Sequence, residues 1–220
     1  AIENLPDLNE TITVPEDIFE ELTAQDASVA GFNPYEQPTV RDLLYGVLLP
    51  SGADACETLA RAVGGSEEGF VAMMNQKAEE LGLTNTHFEN CTGLHNDNHY
   101  STCRDIAVLM SECLKSDTFR EIVTREVYTT EATASHPEGI TLYDTMLHRF
   151  TSYEMSTTLE NGAVIEGGKT GFTDEAGQCL VSFAEYGGEE YILVTAEAMT
   201  DSGSAVDSIA DASTVYGRLQ

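Results

Sequence analysis

A serine hydroxyl held in a turn is the first feature of this sequence that could take part in chemistry. Ser51 follows Pro50 and precedes Gly52, an order that places it in a turn and lets its hydroxyl point away from the backbone. A structural interpretation is also open, because Ser51 could be the N-cap of a following helix, with Asp54 completing a capping box. The local sequence by itself favours the capping interpretation.

A lysine among small residues is the second feature. Residues 167–173 contain Lys169, two threonines and three glycines, and glycines let a ligand approach the backbone closely. The chain has only three lysines, and a solvated surface lysine is rarely surrounded by such small neighbours. Lys169 and the hydroxyls beside it could bind an anion. Equally, Lys169 could form an ion pair with one of the 38 acidic side chains.

The charge balance excludes one class of partner. The chain carries 38 acidic and 10 basic residues, which gives a net charge of −28. Phosphate backbones and anionic lipid surfaces repel such a surface, so nucleic-acid binding is excluded. No stretch approaches the roughly 18 consecutive apolar residues of a membrane span. The apolar residues instead recur in short periodic runs, so we expect a folded chain.

Helices are predicted for most of the first half of the chain. Prolines interrupt the first forty residues, which we expect to be irregular. Thr39 and Asp42 form a capping-box pattern ahead of apolar residues at helical spacing, and Pro50 ends that helix. Apolar spacing predicts three further helices, over residues 52–63, 66–81 and 102–114.

Strands are predicted for most of the second half. Short strands are expected at residues 127–130 and 163–165. Longer β-rich runs at 178–186 and 190–199 are joined by Gly187 and Gly188, a pattern typical of an antiparallel hairpin. We interpret residues 167–173 as a loop ahead of this hairpin, and residues 205–219 as a last helix. This order of elements predicts an α+β fold, with helices packed on an antiparallel sheet.

The two chemical segments and their surroundings resemble the D-alanyl-D-alanine carboxypeptidase family of penicillin-binding serine peptidases. Residues 40–52, VRDLLYGVLLPSG, are similar to the helix that leads into the family's second motif. Residues 90–95, NCTGLH, and 99–102, HYST, are similar to its loop and the following helix cap. Residues 169–174, KTGFTD, resemble its third motif, the KTG. The resemblance implies a DD-peptidase/β-lactamase-like domain over residues 1–220.

Two departures from the family pattern affect the expected activity. The Ser-x-x-Lys motif that supplies the nucleophile and base does not occur in the sequence. Lys115 follows Ser111 by four residues, whereas the motif requires three. Residues 1–5 resemble the end of the family's nucleophile helix, so we expect that helix and the first strands of the sheet to be missing. Ala53 replaces the usual Asn of Ser-x-Asn, which removes an amide that holds the substrate and the active-site lysine.

The resemblance implies a role for each matching residue. Ser51 would relay a proton to the departing amine, and Lys169 would supply positive potential in the cleft. Thr170 would hydrogen-bond the substrate's terminal carboxylate, Gly171 completes the substrate-binding triplet, and the backbone N–H of Phe172 would be an oxyanion donor. The implied reaction is acyl transfer from a D-Ala-D-Ala peptide through an acyl-enzyme. Without its nucleophile, the chain as given is expected to be inactive.

The resemblance also implies partners and a location. The expected partner is a peptidoglycan stem peptide ending in D-Ala-D-Ala, with β-lactams binding once the nucleophile segment is present, and no cofactor is expected. The family acts outside the cytoplasmic membrane, so we expect a secreted or cell-envelope protein, where disulfides persist. Cys91 and Cys103 flank a turn-rich loop, and they are either joined by a bridge or buried separately.

Two other functions remain open from the residues. His87, His95 and His99 lie close together and could bind zinc, but the turn-forming residues around them disfavour the helix that would align two of them. The second alternative is a non-catalytic peptidoglycan-binding or interaction module of the same fold, since the nucleophile is not in the sequence. We favour the enzyme, because a binding module has no need to keep both chemical segments.

Overall fold

Residues 1–198 and 206–220 are described by the computed structural model, and they form eight helices and five strands. The limits predicted at residues 199 and 205 lie outside the described residues. Residues 1–100 with 126–144 form one compact unit, and residues 101–125 with 145–220 form a second. In chain order the elements are α1 (Ile18–Ala24), α2 (Val40–Leu48), α3 (Ala53–Gly64), α4 (Glu67–Glu80), α5 (Cys103–Cys113), α6 (Asp117–Val123), β1 (Val127–Thr129), β2 (Thr141–Tyr143), α7 (Leu147–Ser152), β3 (Val164–Thr173), β4 (Gly177–Tyr186), β5 (Glu189–Ala198) and α8 (Asp207–Tyr216).

Helices α2, α3 and α4 of the first unit begin and end within one or two residues of the predicted limits. The Thr39 hydroxyl accepts a hydrogen bond from the Asp42 N–H, and the Asp42 carboxylate accepts one from the Thr39 N–H, which confirms the capping box of α2. Ser66 caps α4 by accepting from the Gly69 N–H. Gly65 ends α3 in the left-handed conformation that glycine adopts at low cost.

The short β1–β2 hairpin belongs to the same unit and is attached to α2. The ring of Tyr128 on β1 stacks on the ring of Tyr45, with centroids 3.7 Å apart. The Tyr128 hydroxyl also donates to the buried carboxylate of Asp42. The strand predicted at residues 127–130 is thereby confirmed, whereas its partner β2 was not predicted.

In the second unit a three-stranded antiparallel sheet lies between helices, in the order β3-β4-β5. One face of β4 presents Leu180 and Ala184 to a buried cluster that contains Ile209 and Tyr216 of α8. The other face presents Phe183 to a cluster formed by residues of α5, α6 and the turn between them. The predicted hairpin at residues 187–188 joins β4 to β5, so the expected α+β class is confirmed.

Short elements account for most of the differences from prediction. Helix α1 lies within the forty residues expected to be irregular, and α6 and α7 were not predicted. These helices have only six or seven residues and one or two buried positions each, too few to produce a clear helical period. The loop predicted at residues 167–173 is wrong, because β3 runs continuously through that segment.

Candidate active site

The backbone of Ser51 adopts an unusual conformation in the turn between α2 and α3. Its φ angle is +61°, in the left-handed region that costs a non-glycine residue about 1–2 kcal/mol. The N-cap of α3 is Gly52, not Ser51, and glycine has no side chain with which to cap the helix. The capping interpretation of Ser51 is therefore wrong. Strained residues held by their surroundings concentrate at functional sites, which is consistent with a chemical role for this serine.

Asp54 holds this turn in place, and it also accepts a hydrogen bond from the Ala55 N–H in the first turn of α3, at 3.0 Å. Its carboxylate is fully buried and accepts hydrogen bonds from the backbone N–H groups of Ala30, Gly31 and Phe32, at 2.7, 2.9 and 3.0 Å. These donors lie more than twenty residues earlier in the chain. Asp54 therefore fixes the segment before α2 against the start of α3. Sequence reasoning missed this role, because local spacing offers Asp54 only a capping function.

Gly52 completes the turn because no other residue fits there. A Cβ atom at this position would lie 2.7 Å from both the Cβ and the backbone nitrogen of Ala30. The Gly52 N–H donates to the Gly46 carbonyl at 2.9 Å, and the Ala53 N–H donates to the Ser28 carbonyl at 2.8 Å. Ala53 is buried, and its methyl group offers no hydrogen bond at the position where the family pattern has an amide.

Lys169 and Thr170 project from opposite faces of β3. Lys169 lies opposite Val181 of β4 and Thr170 lies opposite Leu180, and directly paired residues of antiparallel strands share a face. The half-buried Lys169 ammonium donates to the Thr170 carbonyl at 2.9 Å. The Thr170 hydroxyl is hydrogen-bonded to the Thr145 hydroxyl at 2.6 Å, so its orientation is fixed. Thr145 is a positioning residue that the sequence did not indicate.

The glycines before and after Lys169 have different functions. A Cβ atom at Gly167 would lie 2.3 Å from the Val123 carbonyl oxygen, and one at Gly168 would lie 2.4 Å from the Val181 carbonyl oxygen. At these two glycines the missing side chain makes room for backbone carbonyl groups of the protein itself. Our interpretation that both glycines let a ligand approach is therefore wrong. Gly171 is exposed, and a Cβ there would meet only Cys179, at an ordinary 3.7 Å. The neighbouring Phe172 side chain is 61% exposed.

The structure places the predicted site residues in two groups. Lys169, Thr170, Gly171 and Phe172 lie on β3 in the second unit, as neighbours on one strand. Ser51 lies in the first unit, and its predicted cooperation with these residues stays a prediction.

Two side-chain sets that the sequence left open, the three histidines and the Cys91–Cys103 pair, do not form. His87, His95 and His99 have separate partners, namely the Asn98 carbonyl, Asp97 and the Glu89 N–H, and they form no metal-binding group among the described residues. The segment is not helical, as its turn-forming residues predicted. The five cysteines all lie among the described residues and none of them is in a disulfide, so the bridge between Cys91 and Cys103 is not formed.

Comparison with known proteins assigns this arrangement of elements and motifs to one family. A model of the family described as D-alanyl-D-alanine carboxypeptidase matches residues 2–200. The chain is 36% identical over 168 residues to the D-alanyl-D-alanine carboxypeptidase DacF of Bacillus subtilis, a match that covers 76% of this chain and 40% of the relative. It is 35% identical over 191 residues to the D-alanyl-D-alanine carboxypeptidase of Streptomyces sp. strain K15, covering 84% of this chain and 63% of the relative. The chain thus spans about half the length of these relatives.

Solved structures give the same result for the fold. The crystal structure of the Streptomyces K15 DD-transpeptidase matches with a TM-score of 0.79 and 32% identity, over 96% of this chain and 79% of that one. The D-alanyl-D-alanine carboxypeptidase of Mycobacterium tuberculosis H37Rv matches with a TM-score of 0.75 and 26% identity, over 96% of this chain and 74% of that one. On both the family match and the shared fold, this chain belongs to the D-alanyl-D-alanine carboxypeptidase family.

Proposed function

We propose that the chain is the substrate-recognition part of a serine-type D-Ala-D-Ala carboxypeptidase, which trims peptidoglycan stem peptides through an acyl-enzyme. The observation that carries the proposal is the family match over residues 2–200, which includes both the Ser51 turn and the Lys169-Thr170-Gly171 triplet. That match contains residues of both units, which supports treating residues 1–220 as one family domain.

The proposed roles follow from the chemistry that each position can offer. The substrate ends in a carboxylate, and in a chain of net charge −28 the segment that carries Lys169 and the oriented Thr170 hydroxyl is a favourable place for an anion, although the two side chains leave opposite faces of β3. Lys169 supplies the positive potential and Thr170 donates a hydrogen bond to the carboxylate. The Phe172 N–H stabilises the oxyanion, and the open space at Gly171 lets the substrate approach the backbone.

Ser51 acts on the leaving group in this proposal. When the acyl-enzyme forms, the amide C–N bond breaks and the departing D-alanine amine takes up a proton. A hydroxyl can pass that proton on, since it both donates and accepts hydrogen bonds. The buried Asp54 and the close-packed Gly52 hold the turn in which Ser51 is presented.

The proposed partners and location follow from the same assignment. D-Ala-D-Ala stem peptides are the substrate, and β-lactams would bind where a nucleophile is supplied. Peptidoglycan lies outside the cytoplasmic membrane, so we place the protein in the cell envelope or among secreted proteins. Among the described residues, no helix has the length and apolar character of a membrane span.

A peptide-binding measurement tests the roles at the triplet. We expect Lys169→Ala to weaken binding of an acetylated D-Ala-D-Ala peptide about 10- to 100-fold, the range of a hydrogen bond to a charged group. Lys115→Ala is the matched control, because Lys115 is an exposed lysine paired with Glu112. Calorimetric titration of the two variants and the parent chain gives the comparison. Equal affinity in Lys169→Ala and the parent would contradict the assignment.

The non-catalytic module of the same fold is the second candidate. The observation that favours it is the lack of a Ser-x-x-Lys pair in the 220 residues. Both candidates predict peptide binding, so the decision between them rests on covalent labelling by penicillin, described below.

A further inference from the structure

Three side chains from distant parts of the first unit meet in a cluster that the proposed reaction does not use. Glu57 lies in α3, Glu67 is the first residue of α4, and Cys91 lies in the segment that follows α4. One oxygen of each carboxylate and the Cys91 sulfur all lie within 4.8 Å of one another. Glu57 is only 7% exposed, and the other two residues are half-buried. We call these residues the Glu57–Glu67–Cys91 cluster.

Hydrogen bonds fix the three groups relative to one another. The backbone N–H of Cys91 donates to Glu67 Oε1 at 3.1 Å. The Cys91 thiol donates to Glu57 Oε1 at 3.5 Å. Helices α3 and α4 are also held close, because a Cβ atom at Gly64 would lie 2.3 Å from the Phe70 nitrogen. The donor atoms are therefore positioned before any ligand arrives.

The spacing of the donors fits a tetrahedral metal. With Zn–S near 2.3 Å and Zn–O near 2.0 Å, tetrahedral angles place the sulfur about 3.5 Å from each oxygen. The separation between Cys91 Sγ and Glu57 Oε1 is 3.5 Å. One thiolate with two carboxylates is a donor set for a borderline cation such as zinc, whereas magnesium and calcium prefer oxygen alone.

The electrostatics of the cluster favour a cation between its members. One oxygen of Glu57 and one of Glu67 lie within 4.8 Å of each other in a chain of net charge −28, so a cation placed between them would offset their mutual repulsion. Arg61 approaches Glu57 through the other carboxylate oxygen, Oε2, at 3.5 Å, and it makes its shorter contact, 2.7 Å, with Asp17. Glu57 Oε1, which faces Cys91, is therefore directed into the cluster.

A cavity gives access to the cluster from solvent. It has a volume of about 230 Å³, and both Glu57 and Glu67 line it. Glu21, Glu89 and His95 line the same cavity and offer further oxygen and nitrogen donors. A metal held by three protein donors could thus complete its coordination with water or with one of these groups.

We propose that Glu57, Glu67 and Cys91 bind one zinc ion that joins α3, α4 and the segment containing Cys91. On binding, the Cys91 thiol releases its proton to solvent and both glutamates coordinate as carboxylates. The proposed ligands include neither Ser51 nor any residue of the Lys169 triplet, so the proposal stands whether or not the proposed function is correct.

Metal titration of the reduced, tag-free 220-residue chain tests this proposal. Calorimetry with zinc in excess magnesium, which occupies the non-specific carboxylate sites, should show one zinc per chain. Cobalt(II) should give a thiolate-to-cobalt charge-transfer absorption. We expect Cys91→Ser to abolish that absorption, and Glu67→Gln to weaken zinc binding by about 100-fold or more. The glutamine of Glu67→Gln keeps an oxygen that can accept from the Cys91 N–H, so this variant retains the local fold.

Matched controls separate the cluster from general metal binding. Cys179→Ser removes a thiol of the second unit, and Glu68→Gln removes the carboxylate next to Glu67; both should bind zinc like the parent chain. The proposal is overturned if the parent chain binds no stoichiometric zinc. It is also overturned if the cobalt absorption persists in Cys91→Ser, or if Glu68→Gln weakens binding as much as Glu67→Gln does.

Discussion

The carboxylate of Asp54 lies 2.7 Å from the backbone nitrogen of Ala30, a residue 24 positions earlier in the chain. The same carboxylate accepts from the next two backbone N–H groups, so one buried side chain satisfies three consecutive main-chain donors. A charged acceptor makes each of these hydrogen bonds stronger than a neutral pair would. The turn that presents Ser51 therefore depends on a contact between segments that are distant in sequence.

We expect Asp54→Ala to lower the free energy of unfolding by about 3 kcal/mol or more, because it leaves several buried N–H groups without an acceptor. Urea denaturation measures the change. Asp97→Ala is the control, since the Asp97 side chain is 98% exposed, and it should change stability by no more than about 0.5 kcal/mol. Similar losses in the two variants would show that Asp54 does not hold the segment as described.

A pair of glycine substitutions tests the packing of β3. Gly168→Ala would place a Cβ atom 2.4 Å from the Val181 carbonyl oxygen, so we expect a loss of about 1–3 kcal/mol. Gly171→Ala meets nothing closer than 3.7 Å and should leave the thermal unfolding temperature nearly unchanged. Thermal denaturation followed by circular dichroism distinguishes them. If both variants unfold alike, close packing at Gly168 is not what selects glycine there.

Penicillin labelling tests the assignment of the motifs. The 220-residue polypeptide should form no covalent adduct, because it lacks a Ser-x-x-Lys pair and no lysine follows Ser51 at helical spacing. In another serine hydrolase, loss of the nucleophile costs on the order of 10⁶ in turnover. A polypeptide extended before Ala1 by a segment that contains Ser-x-x-Lys should be labelled, slowly given Ala53.

Both polypeptides are incubated with a fluorescent penicillin, and covalent labelling is detected as a fluorescent band on a denaturing gel. A labelled band from the 220-residue chain would overturn the assignment of Ser51 and of the missing nucleophile. Labelling of neither polypeptide would favour the non-catalytic module.

Glu36 holds the loop after β1 by hydrogen bonds with Thr133 and His136, and we expect acid to weaken this contact. Burial acts to raise the pKa of the Glu36 carboxyl, but hydrogen bonds from Thr133, the Asn33 N–H and His136 outweigh it and hold the pKa below its ordinary value. Between these two pKa values the unfolded chain binds more protons than the folded one, so stability rises with pH there. The contribution of Glu36 is complete above about pH 4.5 and is lost as the pH falls through the lowered value.

The Glu36→Gln variant measures this contribution. The difference in unfolding free energy between the parent chain and the variant should shrink as the pH is lowered from about 6 to about 3. Glu79→Gln, at an exposed glutamate of α4, should show a small difference that does not change with pH. A difference for Glu36→Gln that stays constant over this range would contradict the lowered pKa.

Elements defined by local chemistry could be predicted from the sequence. The Thr39–Asp42 capping box and the two glycines between β4 and β5 act through neighbours in the chain, so their residue types suffice to place α2 and the hairpin. The Lys169-Thr170-Gly171 triplet was likewise visible as a motif. For these features the physical cause lies within a few residues.

Other features were decided only by the tertiary structure. Gly167 and Gly168 favour a loop locally, yet β3 continues through them because they pair with β4. Glycine is required there because the Val123 and Val181 carbonyls leave no room for a side chain. Asp54 resembles a cap residue locally, yet its carboxylate accepts hydrogen bonds from backbone N–H groups more than twenty residues away. The convergence of Glu57, Glu67 and Cys91 has no sequence signature at all, since it results from how two helices and a later segment pack. Short-range hydrogen bonds and turns can be predicted from the local sequence because their partners lie within a few residues. Burial and long-range pairing cannot, because they depend on which segments the fold brings together.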